Sequence, residues 1–80
     1  MSNWKVLGIA VEGEPIEIEG IDIWSQKWVL SNMPSVELPH PSYISQLHTM
    51  SIYKINTTGK SILFAAGELS ANVWGFYVPA

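Results

Sequence analysis

The strongest constraint on this chain lies in its last third, where three β-prone runs are separated by two turn signals. Leu47 to Ile55 is mixed in polarity but rich in β-formers, Ser61 to Ala66 is apolar, and Val73-Trp74-Gly75-Phe76-Tyr77-Val78 closes the pattern. Between them stand Asn56-Thr57-Thr58-Gly59-Lys60, whose glycine can take a left-handed position, and the stretch Gly67 to Asn72. Short connections make antiparallel neighbours, so these runs predict a β-meander from about Leu47 to Val78. Pro79 ends it by withholding a ladder donor.

The N-terminal half is less regular. Trp4 to Val11 is a short apolar run that stops at Glu12-Gly13-Glu14-Pro15, which favours a strand. Ile16-Glu17-Ile18-Glu19 alternates strictly, with the isoleucines on one face and the glutamates on the other. These two segments and their Gly-Pro link predict a hairpin. At Gly20 the isoleucine phase slips by one residue, to positions 21 and 23, so a bulge or turn is expected at Glu19-Gly20. Residues 23–30 read as a strand with Trp24, Gln26, Trp28 and Leu30 on one face. Trp24 and Trp28 also lie four apart, a spacing that suits one face of a helix.

Three prolines, at positions 34, 39 and 41, make Ser31 to Ser42 the longest irregular stretch. Ser42 to His48 has room for a helical turn capped by Ser42. The whole reads as an all-β domain of about five antiparallel strands, a curved sheet or small open barrel with a C-terminal β-meander.

Eighty residues make one domain, spanning 1–80, that buries only roughly 60% of its unfolded surface. There are no cysteines, so disulfides, thiolate metal sites and a cysteine nucleophile are excluded. Small secreted domains usually carry disulfides, which points to a reducing, cytoplasmic setting. The first eleven residues carry Lys5 inside an apolar stretch and do not read as a signal peptide. No run approaches the roughly 18 apolar residues of a membrane helix.

Hydrophobic residues make up 48% of the chain and charged ones 14%, against about 25% in typical domains. Some of the nine aromatic rings are therefore expected at an interface with a ligand or a second chain, unless a dense core takes them. Four lysines, no arginine and seven carboxylates argue against nucleic acid as a partner, because phosphate binding and base readout lean on cations.

Catalytic constellations are not evident. His40 and His48 lie eight apart without the three convergent ligands that a metal needs. No Gly-x-Ser-x-Gly elbow accompanies either histidine, and Ser42 or Ser51 beside His48 is a pairing that any serine-rich chain offers. Gly59-Lys60-Ser61 resembles the tail of a phosphate loop without its upstream glycine. Asn56-Thr57-Thr58 matches a glycosylation sequon in a chain with no export signal.

No enzyme, cofactor or metal is expected. An enzyme using His40 or His48 would need a pocket that encloses one of them beside a carboxylate.

Two features carry the functional expectation. Glu12, Glu14, Glu17, Glu19 and Asp22 hold five of the seven carboxylates with no lysine among them. Such a run is an ordinary solubility face or a surface for a cationic partner. The second feature is four tryptophans in so short a chain. Trp28 and Trp74 are expected in the core, while Trp24, Trp74 and Tyr77 are the candidate contact rings.

The expected function is a non-catalytic protein-binding module, a homodimer or a small inhibitor of immunity type whose acidic face plugs a basic cleft. The alternative is a module whose rings stack on a sugar or aromatic metabolite. In either case Val73 to Val78 must be covered, by the N-terminal strands or by another subunit.

Overall fold

The fold is read from a computed structural model that describes residues 3–43, 45–57 and 59–80. In chain order it contains β1 (Trp4–Val11), β2 (Glu17–Ile18), β3 (Ile21–Asp22), a turn of 3-10 helix (Ile23–Ser25), β4 (Val29–Leu30), β5 (Val36–Pro39), β6 (Leu47–Thr57), β7 (Lys60–Ser70) and β8 (Val73–Pro79). Six strands make one antiparallel sheet in the order β1-β8-β7-β6-β4, with β5 also on β6, while β2 and β3 form a separate hairpin. The sheet is open, with β1 at one edge and β4 and β5 at the other.

The meander forms as expected. Ser51 to Thr57 pair with Ala66 to Lys60, and Ala65 to Ser70 pair with Tyr77 to Val73. In the first turn Gly59 takes φ 81°, and Thr58 lies outside the described residues. The second turn is tighter than Gly67 to Asn72, because β7 runs on to Ser70 and only Ala71-Asn72 remain, Asn72 at φ 61°. Gly67 stays in the strand for a packing reason. A Cβ there would sit 2.6 Å from Met50 Sδ and 3.0 Å from the Thr49 carbonyl oxygen.

The expected hairpin of residues 4–11 with 16–19 does not form. Val11 is closed off locally: its carbonyl accepts the Glu14 N–H at 2.8 Å, and its own N–H donates to the Glu14 carboxylate. β1 runs instead along β8, from Trp4 opposite Pro79 to Val11 opposite Val73. Period-two patterning tells a strand its faces but not its neighbour. β8 is paired along both edges, by β7 and by β1, and its rings Phe76 and Tyr77 are buried in the cores on its two faces.

The phase slip at Glu19-Gly20 is a two-residue turn, with φ 52° and 83°, joining Ile18 to Ile21 in the β2–β3 hairpin. Both central residues are left-handed, the conformation that matches the twist of a tight hairpin. Residues 23–30 are not one strand. Asp22 caps the 3-10 turn by accepting the Trp24 N–H at 3.1 Å, and only Val29 and Leu30 return to extended pairing, opposite Lys54 and Tyr53.

The proline stretch is also more ordered than expected. Val36 to Pro39 pair with Met50 to Leu47. Six steps from Leu30 to Val36 answer three on β6, so residues 32–35 form an inserted loop in one interrupted edge. Pro39 is tolerated because it ends an edge strand. The helical turn expected over Ser42 to His48 is absent from its described part. Leu47 and His48 belong to β6, the Gln46 N–H donates to the Tyr43 carbonyl, and Ile44 lies outside the described residues.

Each face of the sheet has its own core. On one face Ile55, Ile62, Phe64, Ala66 and Phe76 pack under Ile18 of the hairpin and Ile23 of the 3-10 turn. On the other, Met50, Ile52, Ala65 and Tyr77 pack with Leu38 of β5.

Candidate functional site

The tryptophans fall mainly into one cluster. Trp24 and Trp28 stack with centroids 5.1 Å apart, and both meet Trp74 and Phe76 edge to face. Trp28 also packs against Tyr53 and Phe64. Its indole N–H donates to the Ile23 carbonyl at 2.7 Å, whereas the buried Trp24 Nε1 has no partner among the described residues. The 3-10 turn is what brings Trp24 over Trp28; along a strand the two would share a face but sit about 13 Å apart. The rings serve each other first, and each tryptophan keeps part of its surface exposed.

Tyr77 is 2% exposed and its hydroxyl donates to the Pro39 carbonyl, which ties β8 to the end of β5. Burial pushes its phenol pKa up from 10.0. Two contact rings named by the sequence, Trp24 and Trp74, therefore share a cluster on one face, and Tyr77 lies on the other.

The five carboxylates do not converge. Glu12 accepts the Trp74 indole N–H at 3.4 Å, Glu14 closes the end of β1, and Asp22 caps the 3-10 turn. Glu19 pairs with Lys60 at 2.8 Å, fastening the hairpin to the start of β7. Glu17 has no ion-pair partner among the described residues and stands opposite Asp22 in the hairpin register.

His40 is engaged in its loop, where Nδ1 accepts the N–H groups of Ser42 and Tyr43. Its ring lies 5.5 Å from that of His48, whose buried Nε2 has no partner among the described residues. A small cleft of about 170 Å³ lies beside His40, walled by Trp4, Pro39, Pro41 and Tyr77. Among the described residues no helix is long and apolar enough to cross a membrane.

Two surfaces that composition did not single out stand out in three dimensions. The first is the edge strand β1. Val6 opposes Tyr77, Ile9 opposes Gly75 and Val11 opposes Val73, so all three share the Tyr77 side of the sheet. Each is largely open to solvent, at 50%, 41% and 52%. A bulge between Val6 and Gly8 allows this, because it turns Leu7 inward while Val6 and Ile9 stay on the same outer side.

The second is a groove of about 490 Å³ where β7 and β8 part. Their ladder stops at Ala65 opposite Tyr77, although β7 starts at Lys60 and β8 continues to Pro79. Leu7, Ile18, Ile62 and Val78 line the groove, together with Lys5 of β1 and Glu17 and Glu19 of the β2–β3 hairpin.

A scan of protein-family models and searches of curated proteins and of solved structures found nothing that matches this chain.

Proposed function

We propose that this chain is a non-catalytic protein-binding module whose contact surface is the outer side of β1. The observation that carries this reading is the stripe of Val6, Ile9 and Val11 along an open sheet edge. Exposed apolar residues are ordinary when scattered, but three in a row on one side of an edge strand present both a hydrophobic band and free backbone groups. Extended segments add to such edges through main-chain hydrogen bonds, and alternate side chains supply selectivity. The partner chemistry is an extended apolar segment, from a second copy or from another protein that this chain restrains.

Local roles of Glu12, Glu14, Glu19 and Asp22 leave the acidic face as the weaker support for an inhibitor of a basic partner.

Photo-crosslinking tests the edge. A photoreactive residue at Ile9 in the native host is expected to give a discrete adduct, with itself or with one other protein. The same residue at Lys27, exposed and outside every strand, serves as the control. No adduct at position 9 above that control would refute the reading.

A further inference from the structure

We infer that the fork between β7 and β8 binds a small zwitterion of amino-acid to dipeptide size that carries an apolar side chain. The site is distinct from the outer side of β1. Its volume of about 490 Å³ falls within the range of about 300–1,000 Å³ usual for small-ligand sites. Four aliphatic side chains, Leu7, Ile18, Ile62 and Val78, give it an apolar lining. The lining comes from four separate strands, so the groove is built by the fold rather than by one loop.

Charge selects the ligand class. Lys5 lines the groove from β1, and Glu17 and Glu19 line it from the β2–β3 hairpin. Glu19 is already satisfied by Lys60, but the charged groups of Lys5 and Glu17 have no hydrogen-bond or ion-pair partner among the described residues. Glu17 also faces Asp22 across the hairpin, and like charges directly opposite each other are unfavourable. An ammonium placed at Glu17 relieves that repulsion, and a carboxylate at the other end of the same molecule meets Lys5. The ladder between β7 and β8 has ended here, so main-chain groups of residues 61–63 border the groove and can hydrogen-bond an amide between the two charges. A simple hydrophobe would leave both charges unanswered.

The test is methyl NMR on the intact protein with leucyl-leucine as the probe. N-acetyl-leucyl-leucine lacks the cation, and leucyl-leucine amide lacks the anion. Saturable shifts are expected at the methyls of Leu7, Ile62 and Val78, with Met50 on the opposite face unmoved. Capping either end should weaken binding about fivefold, the size of one solvent-exposed ion pair. Lys5→Met should abolish the discrimination against the amide alone, and Glu17→Gln the discrimination against the acetylated peptide alone. Both side chains are exposed, and an unchanged thermal midpoint shows that the variants still fold.

No saturable shift up to the solubility limit of the probe overturns the site. Equal affinity for all three peptides overturns the zwitterion. Neither outcome bears on the crosslinking result at Ile9.

Discussion

Trp24 and Trp28 share a cluster yet differ in what their indole N–H groups meet. The Trp28 indole is satisfied by the Ile23 carbonyl, and the buried Trp24 Nε1 has no partner among the described residues. A buried donor left unsatisfied costs about 1–3 kcal/mol, so replacing each indole by phenyl should have unequal effects. Trp28→Phe loses a hydrogen bond to the Ile23 carbonyl, which keeps only the Gln26 N–H at 3.3 Å, while Trp24→Phe removes an orphan. Urea midpoints at unchanged m should therefore show Trp28→Phe the more destabilising by about 1–2 kcal/mol.

Tyr77 makes the second residue-scale prediction. Burial raises its pKa, so the neutral phenol is favoured in the folded state. Its contribution is complete below pH 10.0, the unfolded value, and is lost as pH rises through the higher folded value. Stability measured from pH 9 to 12 should fall more steeply in the native chain than in Tyr77→Phe. Parallel profiles would show that Tyr77 is not the group responsible.

At the scale of elements, two glycines hold positions that no other residue fills without strain. Gly20 sits at φ 83° in the two-residue hairpin turn, where an L side chain costs about 1–2 kcal/mol. Gly67 has ordinary backbone geometry but lies against Met50 Sδ and the Thr49 carbonyl. Gly20→Ala should lower stability by about 1–2 kcal/mol and loosen Ile18 and Ile21 over the core. Gly67→Ala should cost about 1–3 kcal/mol through overpacking where β6 and β7 approach, with Met50 shifting first. Calorimetry of the two variants, with NMR shifts at Ile18 and at Met50, separates the mechanisms. The Glu19–Lys60 pair is more than half exposed on both sides, so Glu19→Gln should cost less than about 1 kcal/mol.

Legibility in the sequence follows the same division. Turn signals at Gly20 and Gly59 are local, and their elements are where residue chemistry puts them. Gly67 reads as a turn residue because sequence distinguishes poorly between a glycine that bends and one that gives room. The four-residue spacing of Trp24 and Trp28 fits a strand face and a helix face alike, and a 3-10 turn resolves it. Prolines at 34, 39 and 41 signal irregular backbone, yet Pro39 ends an edge strand that needs no further donor.

For the whole molecule, the decisive pairing is β1 with β8. It joins Trp4 to Pro79 and Val11 to Val73, sequence separations longer than those of the other strand pairs among the described residues. Such non-local closure slows folding, and domains dominated by it fold in about milliseconds to seconds. Stopped-flow refolding followed by tryptophan fluorescence should show its main phase in that range. A main phase in microseconds would contradict a fold completed by β1. Closure also relocates the vulnerable edge. β8 becomes interior, and the open side passes to β1, where a bulge, Lys5 and the Glu14 contacts with Val11 blunt part of it.

The amino-acid pattern by itself determined the all-β class, the meander, the breaks at Gly20 and Gly59 and the shared face of Ile16 and Ile18. All of these follow from propensity, turn chemistry and the two-residue period, which act over a few residues. Tertiary structure alone decided which strand covers β8, which side of β1 stays bare, and that Lys5, Glu17, Ile62 and Val78 line one groove. Those residues meet because strands far apart in sequence pair in a particular order. A period of two is silent about that order, since it assigns every side chain a face and no strand a neighbour.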